Sequence, residues 1–343
     1  MKALVLKEYM KFSYEDVPEP EMGDEDVLIR VKACSICGSD VHGMDGSTGR
    51  RIPPVIMGHE ASGVIEKVGK NVEGFKVGDR VTFDSTIYCG KCYFCKIGKI
   101  NLCDNRRVLG VSCGEYHRDG AFAEYVSVPY RILYKIPDDV SFERAAMVEP
   151  LSIALHAVNR TPIAVGDVAV VVGSGMIGLL IIQVLVSAGC NKVIAVDIDQ
   201  NKLDMARNFG AFIGLKADEV DVEKEVFRLT NGRGADVAFE VVGINSTINT
   251  AVNCVKKGGF VTLVGNLSPE VKLPLQKVVT REISINGSCA SSGEYDRCLD
   301  MISSGKVNVD AFISAVAPLS EGALWFERLY KAEPGLMKVI LKP

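Results

Sequence analysis

The chain has 343 residues and a net charge of −4, with 48% hydrophobic and 24% charged residues. This composition is typical of a globular protein, and the length favours two domains. No block of lysine and arginine stands out, so nucleic acid is not an expected partner. The first residues lack the apolar core of a signal peptide, and we expect a cytoplasmic protein.

Residues 1 to about 155 are predicted to be rich in β-strands, because short strand-like runs are separated by glycine turns. These runs are MKALVLKEYMKF, VLIRVKAC, ASGVIEKVG, DRVTF and AEYVSV. From about Gly166 onward, compact strands alternate with helical patterns, which is typical of βαβ units and a parallel sheet. The strands there are VAVVVG, KVIAVD, ADVAFEVVG and FVTLVG, and the helical patterns are MIGLLIIQVLVSAG, NKLDMARNFG and STINTAVNCVKKGG. Two further helical stretches and a closing strand, MKVILKP, follow.

One apolar run, from Val168 to Gly189, approaches the roughly 20 residues that a membrane-spanning helix needs. Three glycines lie early in it. They favour a buried strand, a tight turn and a buried helix over a membrane span. We therefore expect no membrane association.

Four of the eleven cysteines crowd into one short segment, as Cys89, Cys92, Cys95 and Cys103. A disulfide framework is not expected in a chain without an export signal, so this density of cysteines predicts metal binding. The C-x-x-C spacing lets consecutive thiolates bind one ion, and four thiolates close a tetrahedral structural zinc site. An iron–sulfur cluster also takes four cysteines and remains an alternative.

The motif Gly173-x-Gly175-x-x-Gly178 follows an apolar strand and opens a helix. The next strand ends in Asp197, about 20 residues downstream, as in a dinucleotide-binding turn. The pyrophosphate would lie at the helix N-terminus. Asp197 would bind the adenosine ribose and repel a 2′-phosphate, which favours NAD over NADP. The alternative is a glycine turn that binds no ligand.

A catalytic zinc needs three protein ligands and one open position. Cys37, His59 with Glu60, and Glu149 come from three separate segments and make a reasonable open site. Composition alone does not select them from all the acids and thiols of the chain. Cys34 forms a C-x-x-C pair with Cys37, but the four-cysteine segment already closes its own site, so Cys34 is predicted to be a packed bystander.

Taken in order, CGSDVH, GHEASG, the four-cysteine segment, VEPLSIALHA and GSGMIG resemble the zinc-dependent medium-chain alcohol dehydrogenases over essentially the whole chain. The likeness is closest to the polyol branch, because Glu149 stands where the alcohol dehydrogenases proper have cysteine. The resemblance implies an α/β fold. A GroES-like catalytic domain would span 1–155 and 296–343, with a structural-zinc lobe at about 86–106, and a Rossmann NAD-binding domain would span 156–295.

The resemblance also implies roles for the matching residues. Cys37, His59 and Glu149 would bind the catalytic zinc, while Glu60 would either hold the zinc's water or exchange into the ligand set. Ser39 would bind the substrate hydroxyl, and His42 would receive the proton through the nicotinamide ribose. The four clustered cysteines would bind the second zinc. We also expect cofactor contacts from Met176, Ile177, Lys202, Val242, Val264 and Gly265.

The implied reaction is hydride transfer between a secondary alcohol of a polyol and NAD, in a homotetramer or a homodimer. Three substrate alternatives stay open: a polyol phosphate such as galactitol 1-phosphate, a vicinal diol such as butanediol, and L-threonine. A catalytically silent nucleotide-binding relative is the non-enzyme alternative.

Three polar features are harder to assign from sequence. Arg50 and Arg51 are expected in a solvated loop, although a clamp for a substrate phosphate is the alternative. Arg118 could line the same pocket. Asp40 is predicted to orient a zinc ligand through a hydrogen bond.

Overall fold

The computed structural model describes all 343 residues. The chain divides into two compact units, Met1–Glu149 with Ser292–Pro343, and Pro150–Ser291. The first unit is therefore built from both ends of the chain.

Twenty strands are present, and in chain order they are β1 Lys2–Glu8, β2 Lys11–Asp16, β3 Asp26–Ser35, β4 Val55–Ile56, β5 Glu60–Val68, β6 Arg80–Phe83, β7 Thr86–Ile87, β8 Arg107–Val108, β9 Val111–Ser112, β10 His117–Arg118, β11 Tyr125–Pro129, β12 Leu133–Lys135, β13 Val168–Val172, β14 Lys192–Asp197, β15 Ile213–Lys216, β16 Ala235–Glu240, β17 Val255–Leu263, β18 Ser284–Gly287, β19 Ile313–Pro318 and β20 Lys338–Lys342. The eleven α-helices are α1 Gly38–Gly43, α2 Tyr93–Lys96, α3 Phe142–Ala146, α4 Val148–Asn159, α5 Met176–Ser187, α6 Gln200–Asn208, α7 Val222–Leu229, α8 Asn245–Cys254, α9 Leu275–Thr280, α10 Tyr295–Ser303 and α11 Gly322–Tyr330.

The first unit is organised around a seven-stranded sheet in the order β12-β6-β5-β3-β20-β19, with β11 also paired to β3. The central strand β3 runs antiparallel to both β5 and β20. Its last residue, Ser35, lies opposite Glu60 of β5 and Ile340 of β20. The end of β3 therefore lies between the beginning of β5 and the middle of β20.

A smaller sheet in the order β2-β1-β4 completes the main core of this unit. The N-terminal run predicted as one strand is two strands, because Met10 adopts a left-handed turn with φ of 64°. Phe326 of α11 closes the core against Phe12 and Phe122, with ring centroids 4.5 and 5.6 Å away. The C-terminal helix and strands thus belong to the same hydrophobic core as the N-terminal strands.

The second unit is a six-stranded parallel sheet in the order β15-β14-β13-β16-β17-β18. Counted within the unit, this is strand order 3-2-1-4-5-6, the order of the doubly wound Rossmann fold. β13 and β16 are fully buried, which explains the continuous apolar sequence of β13 and the apolar centre, VAF, of β16. The helical pattern predicted to run to residue 259 ends at Cys254, because Val255 already pairs with Ala235 in the sheet.

No helix in the chain has both the length and the apolar character needed to cross a membrane. The apolar run from Val168 to Gly189 forms strand β13, a glycine turn and helix α5.

Candidate active site

The sheet register brings Cys37, His59 and Glu60 together. Cys37 follows the end of β3, while His59 and Glu60 lie at the start of β5, the strand paired beside it. The sulfur, imidazole and carboxylate atoms able to bind a metal all lie within 4.8 Å of one another. Thiolate, imidazole and carboxylate are all zinc donors, so this set of residues fits zinc.

Helix α1 presents Cys37 and two other predicted site residues. Cys37 caps the helix, and its Sγ accepts hydrogen bonds from Ser39 N at 3.4 Å and Ser39 Oγ at 3.2 Å. His42 follows Ser39 by three residues, a spacing that puts both on the same side of a helix. The His42 side chain is exposed and can exchange protons with solvent.

Asp40, in the first turn of the same helix, is completely buried and faces His59. Its Oδ1 is 3.4 Å from His59 Nδ1 and accepts hydrogen bonds from Arg51 Nη2 at 2.9 Å and Arg51 Nε at 3.1 Å. Burial alone would raise the pKa of Asp40, but the charges of His59 and Arg51 hold that pKa well below its usual value. A carboxylate facing Nδ1 leaves Nε2 of His59 as the nitrogen for a metal.

Only one of the two carboxylate oxygens of Glu60 has hydrogen-bond partners. Its Oε2 accepts a hydrogen bond from Lys338 Nζ at 2.6 Å and another from the Ser35 hydroxyl. Its Oε1 is buried with no hydrogen-bond partner in the chain. A buried oxygen without a partner is costly unless a cation or a donor satisfies it. A metal next to Cys37 and His59 would satisfy this oxygen.

Glu149, the fourth predicted residue, is near this group but outside its 4.8 Å limit. It lies in the first turn of α4, and its Oε1 accepts a hydrogen bond from Ser85 Oγ at 3.0 Å. Burial, and then the neighbouring charge of Glu60, raise the pKa of Glu149 to about 7. Two carboxylates whose charges repel one another favour a cation between them.

The four clustered cysteines form a second candidate metal site. The sulfur atoms of Cys89, Cys92, Cys95 and Cys103 lie within 4.8 Å of one another, and none of them is in a disulfide. Backbone N–H groups also point at the sulfurs, with Cys89 N at 3.2 Å and Asn105 N at 3.4 Å from Cys103 Sγ. Such donors stabilise thiolates and are usual around bound zinc.

The thiol pKa values indicate why these four cysteines need a cation. Hydrogen bonds from the backbone of Lys91 and Cys92 lower the pKa of Cys89 to about 6. Burial and the neighbouring thiols raise the pKa of Cys95 to about 12. Four thiolates at this spacing repel one another unless a metal ion neutralises them, so the residues fit a structural zinc.

In the second unit, the glycine turn has the close packing that its motif predicts. A Cβ on Gly173, whose φ is +98°, would lie 2.5 Å from Val242 Cγ2. A Cβ on Gly178 would lie 1.9 Å from Gly173 O. Gly175 caps α5 and has open space where a Cβ would be, so the helix N-terminus is accessible to a phosphate.

The other predicted cofactor residues lie at the carboxyl ends of neighbouring strands or just beyond them, where ligands bind in doubly wound sheets. Asp197 ends β14 and accepts hydrogen bonds from Ser174 N at 2.7 Å, Ile198 N at 2.8 Å and Asp199 N at 3.0 Å. Met176 and Ile177 form the first turn of α5, Lys202 is on α6, Val242 follows β16, and Val264 and Gly265 follow β17. All six are partly exposed.

Comparison with known proteins decides the family. Residues 23–138 match the alcohol dehydrogenase GroES-like domain, and residues 177–304 match the zinc-binding dehydrogenase domain. The probable D-xylulose reductase A of Aspergillus fumigatus is 36% identical, over 98% of this chain and 96% of its own length. The chain belongs to the zinc-dependent medium-chain alcohol and polyol dehydrogenase superfamily.

Two solved structures resemble the dehydrogenase closely. Galactitol-1-phosphate dehydrogenase from Escherichia coli is 27% identical with a TM-score of 0.92, and all of both chains is covered. A putative zinc-binding dehydrogenase from Sinorhizobium meliloti 1021, bound to NADP, is 32% identical with a TM-score of 0.89, over 100% of this chain and 99% of that one. The prediction of a GroES-like domain with a Rossmann domain is confirmed, as is that of a zinc-dependent oxidoreductase using a nicotinamide dinucleotide.

The structure corrects the prediction of a solvated loop at one of the two arginines. Arg51 is only 4% exposed, and its guanidinium forms a buried ion pair with Asp40. Arg50 is exposed, as predicted. Arg118 lines a cavity of about 620 Å³ in the first unit that contains none of the predicted metal ligands.

Sequence reasoning missed Lys338 and Ser35, which hold Glu60, and Ser85, which holds Glu149. Lys338 opens the apolar strand β20, where it shares a face with the buried Ile340. A lysine at an inward-facing position of an apolar strand is a usable signal, since buried lysines are rare unless paired. The two serines carry no such signal, because hydroxyl groups are common in strands and turns.

Proposed function

We propose that the dehydrogenase transfers a hydride between a secondary alcohol of a polyol and NAD, with the ketose as the oxidised product. The observation that carries the proposal is the close grouping of Cys37, His59 and Glu60, with Glu149 beside them. This donor set suits a zinc that keeps an open position. The similarity to D-xylulose reductase A supports a polyol substrate.

Each residue has a role that follows from its position. Cys37, His59 and Glu149 would hold the catalytic zinc, with Glu60 next to it. When bound, zinc supplies a Lewis acid that makes an alcohol easier to deprotonate. Ser39 would bind the substrate hydroxyl, and the exposed imidazole of His42 would receive the released proton through the nicotinamide ribose and pass it to solvent.

The glycine turn and Asp197 would hold the cofactor. The N-terminus of α5, open above Gly175, would bind the pyrophosphate. Asp197 still has an acceptor position beyond its three backbone hydrogen bonds for a ribose hydroxyl. The residue after Asp197 is Ile198, with no arginine to bind a 2′-phosphate, and this supports NAD over NADP.

A polyol phosphate is the second candidate substrate, because galactitol-1-phosphate dehydrogenase is among the similar structures. The burial of Arg51 removes one arginine from a possible phosphate clamp and leaves Arg50. The free polyol is therefore the preferred candidate.

An NADH-absorbance screen tests the proposal directly. The purified dehydrogenase is offered xylitol and sorbitol, galactitol 1-phosphate, 2,3-butanediol and L-threonine, each with NAD and with NADP. We expect the highest kcat/KM for a free polyol with NAD. Glu149→Ala should abolish turnover while NAD still binds. A preference for the phosphate, the diol or threonine would reject the polyol assignment, and activity in Glu149→Ala would remove Glu149 from the site.

Three further expectations belong to the same proposal. The lobe of Cys89, Cys92, Cys95 and Cys103 would hold a structural zinc, giving two zinc ions per chain. The enzyme would act in the cytoplasm as a homotetramer or homodimer. The eleven cysteines, none of them in a disulfide, support a reducing compartment.

A further inference from the structure

Glu240, the last residue of β16, binds the backbone of two loops. Its side chain is completely buried, and Oε1 accepts hydrogen bonds from Val242 N at 2.9 Å and Gly243 N at 2.7 Å. Its carbonyl oxygen accepts hydrogen bonds from Val264 N at 2.8 Å and Gly265 N at 3.1 Å, just beyond β17. Glu240 therefore joins the loop that follows β16 to the loop that follows β17.

These two loops pack backbone against backbone. A Cβ on Gly265 would lie 2.3 Å from Val242 N, and a Cβ on Gly243 would lie 2.3 Å from Asn266 N. A backbone hydrogen bond from Ser268 N to Gly243 O, 2.9 Å long, also joins the loops. Because no side chain separates them, a shift of one loop requires a shift of the other.

Both loops lie at the carboxyl ends of strands in the second half of the parallel sheet, since β16 and β17 are its fourth and fifth strands in chain order. A doubly wound sheet of this order binds one mononucleotide of a dinucleotide on each half. The glycine turn and Asp197 belong to the first half, where the adenosine would bind. The loops that Glu240 joins would therefore face the nicotinamide half of the cofactor.

We propose that Glu240 is a positioning residue for the nicotinamide half of the cofactor. Its carboxyl oxygen fixes the loop after β16, and its carbonyl oxygen fixes the loop after β17. Because the side chain is completely buried, Glu240 acts through these loops and does not touch the cofactor. A buried acid is costly, and packing of the strand alone would be served as well by an apolar residue. The inference rests on the proposed function, since it concerns the same cofactor.

The side chain of Glu240 has no other anchor. Its Oε2 is buried and has no hydrogen-bond partner in the chain. The two backbone hydrogen bonds at Oε1 are therefore the interactions that a substitution removes or keeps.

Calorimetric titration of the full-length, zinc-loaded protein measures this role independently of catalysis. In Glu240→Ala, the N–H groups of Val242 and Gly243 lose their acceptor, so NAD should bind at least about tenfold more weakly. AMP, which reaches only the adenosine half, should bind within about twofold of its wild-type affinity. Glu240→Gln keeps a side-chain oxygen that accepts both hydrogen bonds, so NAD should bind within about threefold of its wild-type affinity.

Asp236→Asn is the matched control. Asp236 is a buried acid of the same strand and also accepts a backbone hydrogen bond, from Val168 N at 2.8 Å. It lies near the opposite end of β16, away from both loops. Asp236→Asn should lower the urea midpoint and leave the affinities for NAD and AMP unchanged.

A second variant and a second readout keep the inference testable if Glu240→Ala folds poorly. Glu240→Asp retains the acid but shortens the side chain, so it should also weaken NAD binding and spare AMP binding. Amide hydrogen exchange at Val242 and Gly243 should be faster than in the wild type in both variants and unchanged in Glu240→Gln. This exchange reports on the loop itself, without any ligand.

The outcomes separate this inference from the proposed function. Normal NAD affinity in Glu240→Ala, together with faster exchange at Val242 and Gly243, would overturn the role of Glu240 alone. An equal loss of NAD and AMP affinity would do the same, because Glu240 would then support the sheet as a whole. A wild-type protein that binds neither NAD nor NADP would overturn the proposed function and this inference with it.

Discussion

Gly175 and Gly178 lie three residues apart in one turn, but the structure requires them for different reasons. A methyl group on Gly178 would lie 1.9 Å from Gly173 O, which no side-chain movement relieves because the obstacle is backbone. A methyl group on Gly175 would meet no atom of the chain within 4 Å. Gly178 is therefore needed for folding, and Gly175 for the approach of a ligand.

We expect the two alanine variants to separate stability from cofactor binding. Gly178→Ala should lower the free energy of unfolding by about 2–3 kcal/mol, as overpacked sites do. Gly175→Ala should keep wild-type stability but bind NAD at least about tenfold more weakly, equivalent to about 1.4 kcal/mol. Urea unfolding and NAD titration by calorimetry measure the two effects. Normal NAD affinity in Gly175→Ala would show that no phosphate approaches this residue.

Arg51 offers a second comparison between neighbours. Arg51→Met leaves Asp40 buried without its guanidinium partner, and removing one member of a buried ion pair costs about 3 kcal/mol or more. Arg50→Met is the matched control, because Arg50 is exposed. We expect a clear fall in the urea midpoint for Arg51→Met and almost none for Arg50→Met. Equal midpoints would mean that the Arg51–Asp40 pair contributes little.

At the scale of strands and helices, periodicity predicted most of the fold because each strand's burial appears in its own sequence. KVIAVD corresponds to the whole of β14, and ADVAFE to β16. The predicted end of α8 was wrong because Val255 pairs with Ala235 of β16, and a local sequence pattern does not show such a pairing. Lys338 was missed for the same reason, since its partner Glu60 is 278 residues away in the chain.

Asp236 connects three strands of the parallel sheet and gives a prediction with a pH signature. Its side chain accepts hydrogen bonds from Val168 N at the start of β13, at 2.8 Å, and from Lys256 Nζ in β17, at 2.5 Å. Burial alone would raise the pKa of Asp236, but these hydrogen bonds and the Lys256 charge lower that pKa below its usual value. Asp236→Asn should therefore destabilise the sheet by about 1 kcal/mol, a modest value because Lys256 is partly exposed.

The sign of the pH dependence follows from the lowered pKa. The unfolded chain binds a proton at Asp236 more readily than the folded chain, so the stabilisation is complete above the unfolded pKa. It should be constant from pH 7 to about 5 and shrink as the pH falls through the folded pKa. Urea unfolding followed by circular dichroism between pH 7 and 3.5 measures the stability difference between the wild type and Asp236→Asn. Asp218→Asn is the control, because Asp218 is exposed. A stability difference that grows on acidification would contradict the assignment.

At the scale of the whole molecule, the chemistry is divided between the two units. Both groups of candidate metal ligands belong to Met1–Glu149, and no residue of Pro150–Ser291 takes part in either. The dinucleotide turn belongs to Pro150–Ser291. The single tryptophan, Trp325, lies in the unit with the metal ligands, where its ring stacks with Arg328 at 4.2 Å. Its fluorescence therefore reports on that unit alone.

Removal of metal should destabilise one unit and spare the other. A chelator should extract about two zinc ions per chain and lower the urea midpoint seen by Trp325 fluorescence, because bound zinc stabilises the fold that holds it. Amide hydrogen exchange in β13, β14 and β16 should stay unchanged, since that sheet offers no metal ligands. Faster exchange throughout the parallel sheet after chelation would mean that the stability of the second unit depends on the metals of the first.

The two metal sites can be identified separately by substitution. Cys95→Ser and Cys37→Ser should each reduce the zinc content by about one ion.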